Sequence, residues 1–143
     1  MTEIIFFIPG KPQGKARART FYSPSLGKHI SMTPDQTVLY ENLIKASYIN
    51  TAKGVHFDSG IPVELDIVAH FEPTKSTSKK KRALMLEGKE LPLKKPDMDN
   101  IVKVIADALN SVAYHDDTQV YKLSARKEYS EKEGVTVTLR ALD

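Results

Sequence analysis

The chain has 143 residues, enough for one domain around a single hydrophobic core, so we predict one domain over residues 1–143. Hydrophobic residues make up 41% and charged residues 27%, and there is no cysteine, which excludes a disordered or fibrous chain, disulfides and cysteine-ligated metal centres. The net charge is +3 and the longest apolar run is only Ile4 to Ile8, so we expect a cytoplasmic protein without a membrane partner.

The first third of the chain predicts a strand, a loop and a helix. Residues 3–8 are apolar, β-branched and aromatic, as in a buried strand. Residues 10–34 are rich in Gly, Pro and Ser and lack any period, which predicts a long basic loop with a short hairpin around the sequence RTFYS. Apolar residues at helical spacing then predict a helix over 34–52, with Thr33 as N-cap and Pro34 as the first helical residue.

The rest of the chain predicts one strand, two helices and two further strands. Apolar residues alternate with polar ones over 61–72, which predicts a strand. Ser76 or Thr77 is expected to cap a short basic helix that ends near residue 86. A strong helical pattern follows over 99–112, and two final strands are predicted near 118–129 and 135–142. The order predicts an α+β fold, a single mixed β-sheet with helices packed on it.

Positive charge is concentrated in two segments. From Ile4 to Pro34 there are five basic residues and no acidic one, and from Lys75 to Lys95 there are eight basic residues against two acidic ones. Segments of this kind are typical of proteins that bind a polyanion, although a single lysine-rich run is as often a solvated loop. The two segments together predict a nucleic-acid partner.

Negative charge is concentrated between Pro96 and Asp117, where five aspartates face only one lysine. If the chain after Pro96 is extended, Asp97 and Asp99 project to the same side. If a helix begins near Asp99, then Asp99, Lys103 and Asp107 stack on one of its faces. Helix capping and an ordinary turn are the alternative explanations, but a cap needs one carboxylate and this stretch has five.

A metal ion would explain the excess of carboxylates. If the turn at 113–117 folds back toward the start of the helix, three or four carboxylates converge, and like charges that close raise one another's pKa unless a cation is present. Oxygen ligands suit Mg²⁺ or Mn²⁺, which lower the pKa of a bound water and so promote phosphodiester hydrolysis. Lys103 either stabilises the transition state or forms an intrahelical ion pair, and His115 is a ligand, a proton carrier or an ordinary loop residue.

The same stretch closely resembles the RusA family of Holliday junction resolvases of bacteria and their prophages. The matching pattern is D-x-D-N-x-x-K-x-x-x-D-A-L-N over Asp97 to Asn110, followed by D-D-x-Q-V over Asp116 to Val120. The N-terminal PGKPQGKARAR is also similar to the start of many members. The resemblance implies a RusA-like homodimer that cleaves four-way DNA in paired cuts, leaves ends that a ligase can seal, and serves DNA recombination and repair.

The resemblance also implies a set of site residues. Asp97, Asp99 and Asp117 are expected to hold Mg²⁺ and act in catalysis, with Asp116 as a further ligand and Mn²⁺ able to substitute. Lys103 matches the family's essential lysine and completes the expected catalytic set. The DNA contacts predicted from the basic segments and the motif are Lys11, Lys15, Arg17, Arg19, Lys79, Lys80, Lys81, Arg82, Lys94, Lys95 and Asn100.

Two other functions fit part of the sequence. A magnesium-dependent enzyme of small phosphorylated molecules would also use a DxD motif, and GKPQGKA is similar to a phosphate loop. However, Gly10 and Gly14 are one residue too close, and Ala16 stands where that loop needs a hydroxyl. A non-catalytic nucleic-acid-binding protein would explain the basic segments, but it would not explain carboxylates that repel phosphate.

Overall fold

The computed structural model describes all residues from Met1 to Asp143. It contains six strands, three α-helices and one turn of 3-10 helix. The strands and α-helices follow the predicted order, and two of the strands form the hairpin that was predicted around RTFYS. The elements are β1 (Glu3–Pro9), β2 (Arg19–Ser23), β3 (Lys28–Met32), α1 (Asp35–Ala52), β4 (Val63–Phe71), α2 (Lys79–Leu86), α3 (Met98–Ala108), the 3-10 turn (Asp117–Gln119), β5 (Val120–Tyr129) and β6 (Gly134–Ala141).

Four strands form one mixed sheet in the order β1-β6-β4-β5, which confirms the predicted α+β class. β6 is antiparallel to both β1 and β4, whereas β4 and β5 are parallel. Parallel neighbours need a crossover connection, and the segment that carries α2 and α3 supplies it. β2 and β3 form a separate two-stranded hairpin.

The core lies between one face of the sheet and the helices α1 and α3. Every second residue of β4 is buried, as its alternating sequence predicts, and α1 buries residues four positions apart. No helix is long and apolar enough to cross a membrane. The largest side chains that form this core are Phe6, Ile8, Tyr40, Ile44, Tyr48, Phe57, Leu65, Ile67, Phe71, Ile101, Ile105, Leu109, Tyr114 and Leu139.

The opposite face of the sheet carries a charged network. Arg140 on β6 donates to Glu3 on β1 at 2.6 Å, and to Glu64 and Asp66 on β4 at 3.1 and 2.7 Å. Lys122 on β5 contacts Glu64 at 3.0 Å. All four strands of the sheet are therefore connected by ion pairs on the side away from the core.

The caps of α1 and α2 differ from the predicted ones. Pro34 precedes α1 as its extended cap residue, and Thr33 does not cap the helix. Ser78 caps α2 by accepting from the amide of Lys81 at 3.2 Å, so neither Ser76 nor Thr77 is the cap. Both shifts are one or two residues, because several adjacent polar residues could each begin the helix.

α3 ends at Ala108 and not at residue 112 as predicted. The chain leaves the helix because Ser111 has a positive φ of 67° and its amide donates to the carbonyl of Tyr114 at 2.8 Å. Tyr114 is fully buried, and its hydroxyl donates to the carbonyl of Ala106 at 2.7 Å. The tyrosine thus holds a tight turn against the last turn of α3, which decides where the following aspartates lie.

Candidate active site and nucleic-acid interface

Asp97 and Asp99 lie at the N-terminal end of α3, where both side chains are exposed. Asp97 is the extended residue before the helix and its carboxylate makes no capping hydrogen bond, so capping does not explain it. Asp99 already lies in the first helical turn, because the helix begins at Met98. The prediction that the chain is extended from Asp97 to Asp99 is therefore wrong. A carboxylate in the first turn still interacts favourably with the helix dipole.

Lys103 and Asp107 continue the polar face of α3. The Nζ of Lys103 lies 3.7 Å from Oδ2 of Asp107, so the predicted intrahelical ion pair is present and its partner is Asp107. The Lys103 side chain is nevertheless 62% exposed. An exposed pair of this kind contributes little to stability, and the ammonium remains accessible to a phosphate.

The turn after α3 is held by two amide side chains. The Oδ1 of Asn110 accepts from the backbone amide of Asp117 at 2.8 Å. The Oε1 of Gln119 accepts from the amides of His115 and Asp116 at 2.9 and 3.1 Å. The turn therefore has a defined conformation that presents two adjacent aspartates.

Gln119 also ties this turn to the loop before β4. Its Nε2 donates to three backbone carbonyls, those of Phe57, Asp58 and Ile61, at 3.3, 2.9 and 3.1 Å. One side chain thus forms hydrogen bonds with backbone groups in the loop before β4 and in the turn before β5. This anchoring role was not predicted from the sequence, although Gln119 and Asn110 are both in the motif, because spacing alone does not show which way an amide points.

The two adjacent aspartates of the turn differ in their electrostatics. Partial burial raises the pKa of Asp117, and the nearby carboxylates of Asp116 and Asp107 raise it further. The pKa of Asp116 is lowered, chiefly because the Thr118 hydroxyl donates to its carboxylate at 2.7 Å. Asp117 is therefore the aspartate of the pair whose ionised form is disfavoured by its surroundings, the condition that a cation relieves.

The four aspartates do not converge on one point. The turn folds back onto the last turn of α3 and not onto its first, so Asp117 lies beside Asp107. A helix rises 1.5 Å per residue, which puts Asp99 and Asp107 about 12 Å apart along the axis. No group of three or more His, Cys, Asp or Glu side chains is close enough to hold a metal ion. The expected cluster of three or four carboxylates is thus not formed.

The arrangement still fits a magnesium ion better than a metal that needs a protein cage. Mg²⁺ is usually bound through one or two carboxylates and keeps waters and substrate phosphates as its other ligands. Asp97 and Asp99 offer two exposed carboxylates at one helix end, and Asp117 offers a carboxylate in an excess of negative charge. The donor set is all oxygen, as this ion prefers.

A groove of about 340 Å³ joins the two basic segments at the start of α3. The loop before β2 packs closely on the helix, since the amide of Lys15 donates to the carbonyl of Asn100 at 2.9 Å. Gly14 permits this contact, because a Cβ at that position would lie 2.8 Å from the Cβ of Asn100. The groove is lined by Lys11, Gln13, Gly14, Lys15, Lys95, Pro96, Asp97 and Asn100.

Lys15 differs from the other predicted DNA contacts. Its Nζ lies 3.1 Å from Glu41 on α1 and 3.6 Å from Asp107 on α3, and its side chain is only 21% exposed. The ammonium is thus engaged by two carboxylates. Lys15 links the loop to both helices, and Glu41 is a partner that sequence reasoning did not identify.

The other predicted DNA contacts lie on several elements of the fold. Lys11 and Lys95 line the groove, and α2 buries none of its side chains, so its basic residues stand at the surface. Lys94 lies with its Nζ 5.7 Å from the centre of the Phe71 ring. Exposed residues of the predicted set that lie outside the groove are Arg17, Arg19, Lys79, Lys80, Lys81 and Lys94.

Comparison with known proteins gives one family and one relative. The family model described as Endodeoxyribonuclease RusA matches residues 9–140. An uncharacterized protein of Bacillus subtilis (strain 168), YqaN, is 43% identical over 81 residues, which are 55% of this chain and 57% of that protein. The chain therefore spans little more than half the length of this curated relative. The family match includes every candidate residue described above.

Proposed function

The chain belongs to the RusA endodeoxyribonuclease family, and from this membership we propose that it is a magnesium-dependent endonuclease that cuts branched DNA. The proposed substrate is the four-way junction, cut in pairs in the course of recombination and repair. We further propose that residues 1–143 act as one domain in a cytoplasmic homodimer, because paired cuts need two sites.

One observation carries the proposal: an exposed carboxylate and exposed lysines line the same groove. Asp97 lies in the groove that Lys11 and Lys95 also line, and Asp99 follows in the first turn of the same helix. Carboxylates repel a phosphodiester unless a cation lies between them, whereas lysines attract it. A site that needs both charges is typical of metal-assisted phosphodiester cleavage.

The residues divide into three roles. Asp97 and Asp99 would hold the cation. Asp117, and Asp116 as the weaker candidate, would join them only if the turn moved toward the first turn of α3 when DNA binds, because in this structure no three of these carboxylates are close enough to share an ion. When bound, the cation would activate a water and neutralise charge on the phosphate. Lys103 presents an exposed ammonium one turn beyond Asp99, from which it can donate to a phosphate oxygen as negative charge develops.

The basic residues position the backbone of the DNA. Lys11, Lys95 and Asn100 stand beside Asp97, so they would hold the phosphate that is cut and its neighbour. α2 adds four successive basic residues and has no fully buried side chain. Arg17, Arg19 and Lys94 extend the positive surface on either side, whereas Lys15 acts through its ion pairs with Glu41 and Asp107.

A non-catalytic DNA-binding protein is the second candidate. The observation that favours it is the separation of the aspartates, because no three of them form a ready metal group. Under this alternative Asp97 and Asp99 would have no chemical role, and the family fold would serve binding alone. The two candidates differ in whether DNA is cut and in whether the aspartates are needed.

The test uses a labelled synthetic four-way junction, with and without Mg²⁺. We expect the wild type to cut it only with Mg²⁺, and Asp99→Asn to lower the cleavage rate by about 100-fold or more while binding persists. Glu131→Gln is the matched control, since it removes an exposed carboxylate from the turn between β5 and β6. Binding without cutting under every condition would establish the second candidate, and equal cutting by Asp99→Asn would remove that residue from the site.

A further inference from the structure

The hairpin of β2 and β3, residues 19–32, is a sheet of its own, and it meets the rest of the fold at the start of α1, where Arg19, Phe21 and Met32 line a cavity. Its strands pair only with each other and not with the four-stranded sheet. Ser23 is its one buried residue. A two-stranded hairpin in water is at best marginally stable alone, so a surface of this kind suggests a partner.

The hairpin exposes large apolar side chains at several points. Phe21 is 45% exposed and Tyr22 is 55% exposed, and they point to opposite faces of the ribbon because they are adjacent in a strand. Tyr22 packs edge-on against His29, its partner across the strands, at a centroid distance of 5.4 Å. Leu26 at the tip is 61% exposed. Aromatic surface is thus available on both sides of the ribbon.

The charge of the hairpin identifies the class of partner. No acidic residue occurs between Ile4 and Pro34, and Arg17, Arg19 and Lys28 flank the exposed aromatics. Positive charge on this scale disfavours a second hairpin as the partner and favours a polyanion with flat apolar surfaces. Nucleic-acid bases offer such surfaces, and stacking on aromatic side chains does not depend on which base is present.

The hairpin is close enough to the groove to reach the same DNA molecule. Lys15 is held against α3 by the hydrogen bond from its backbone amide to the carbonyl of Asn100, and β2 begins four residues later at Arg19. Four residues span at most about 14 Å, which is a few base pairs of duplex. Intact duplex keeps the faces of its bases stacked, whereas a branch point leaves some of them accessible.

We propose that the hairpin recognises the branch point: Phe21 and Tyr22 stack on bases exposed there, while Arg17, Arg19 and Lys28 hold the adjacent phosphates. This inference rests on the proposed endonuclease function and deepens it. Selectivity for branched DNA then resides in the hairpin, and cleavage resides in the groove.

Binding of a labelled four-way junction and of linear duplex with the same arm sequence, both in EDTA, tests the hairpin. We expect Phe21→Ala and Tyr22→Ala to weaken junction binding by about 5- to 150-fold each, the range for loss of one stacked base. Duplex binding should change less than about 2-fold, because phosphate contacts dominate it. Tyr22→Phe should retain junction binding. Leu39→Ala, which shortens an exposed leucine on α1, is the matched control and should change neither.

A second measurement starts with the wild type, and that result does not depend on the folding of any variant. 2-Aminopurine placed at the branch should be quenched when the protein binds, and the same base placed within an arm should not. Loss of quenching in Tyr22→Ala and its return in Tyr22→Phe would support the stacking.

Three results would overturn the proposal: unchanged junction preference in both alanine variants, no quenching at the branch, or dissociation of a dimer by these substitutions in sedimentation. The last result would assign the ribbon to a contact between two copies. Cleavage by the wild type with Mg²⁺, measured in parallel, separates these failures from failure of the endonuclease function.

Discussion

At the scale of single residues, two adjacent aspartates have opposite properties. The carboxylate of Asp116 accepts a hydrogen bond from the Thr118 hydroxyl, which lowers the pKa of Asp116. Asp117 is partly buried beside two carboxylates, which raises the pKa of Asp117. The two residues have the same side chain and stand next to each other in the motif. Their environments alone distinguish them, and the environment of Asp117 is the one that a cation would relieve.

The pH dependence of stability tests this difference. The pKa of Asp117 in the folded protein lies above its ordinary value of 3.8, so its ionised carboxylate disfavours folding once the pH rises above that value. We expect Asp117→Asn to be more stable than the wild type at pH 7 without metal, and the advantage to vanish as the pH falls below 3.8. Urea unfolding of both proteins in EDTA from pH 3 to 8 measures this difference in the free energy of unfolding.

Asp116→Asn is the control for this prediction, because the sign is reversed. The pKa of Asp116 is lowered in the folded protein, so its ionised form stabilises the fold above the ordinary value of 3.8, and that stability is lost as the pH falls through the lowered pKa. We expect Asp116→Asn to be less stable than the wild type at pH 7. Equal effects of the two substitutions would contradict the assignment of opposite environments.

At the scale of the elements, Gln119 connects three parts of the fold. It stands at the end of the 3-10 turn and the start of β5, and its amide reaches both the turn after α3 and the loop before β4. β4 and β5 are parallel, so no hairpin joins them and their ends need another connection. The Gln119 side chain supplies that connection and holds Asp116 and Asp117 in place.

Gln119→Glu tests the connection with almost no change of shape. A carboxylate oxygen would replace the Nε2 that donates to three carbonyls, which would leave those acceptors facing negative charge. We expect a loss of about 1–3 kcal/mol of stability in urea unfolding, together with slower DNA cleavage. Thr118→Ala is the neighbouring control and removes a single exposed hydrogen bond. Unchanged stability in Gln119→Glu would show that these hydrogen bonds are dispensable.

At the scale of the whole molecule, some surfaces are strongly basic, while on another surface the positive and negative charges are paired. The surface of α2 and the segments on either side of the groove are basic, while the face of the sheet away from the helices pairs its charges through Arg140 and Lys122. A formal net charge of only +3 therefore underestimates the positive charge that a DNA backbone would meet at the groove. This distribution, and not the net charge, predicts the salt dependence of binding.

The salt dependence of duplex binding tests the contribution of α2. Each phosphate contact that is lost should reduce the slope of log K against log salt by about 0.9, so Lys79→Gln with Lys80→Gln should reduce it by up to about 1.8. The matched control is Lys122→Gln with Lys132→Gln, which removes the same charge from the opposite side of the sheet. Fluorescence anisotropy from 50 to 300 mM salt, roughly the range in which such contacts weaken, measures both. Equal slopes in the two double variants would exclude α2 from the interface.

The sequence by itself determined the class of fold, the order of the elements and the family. Alternating residues in β4 and the spacing of apolar residues in α1 and α3 depend on local geometry, and local geometry is readable from a single chain. The hairpin around RTFYS was predicted within a segment that has no period of its own. The motif from Asp97 to Val120 led to the family that the comparison shows for residues 9–140.

Only the tertiary structure decided how the site is arranged. The sequence does not show that Tyr114 is buried under α3, and this contact sends Asp117 to the C-terminal end of the helix and prevents the expected convergence of carboxylates. Nor does it show that Lys15 is held by Glu41 and Asp107. Side-chain direction depends on contacts between residues far apart in the chain, and spacing within a motif carries no information about them.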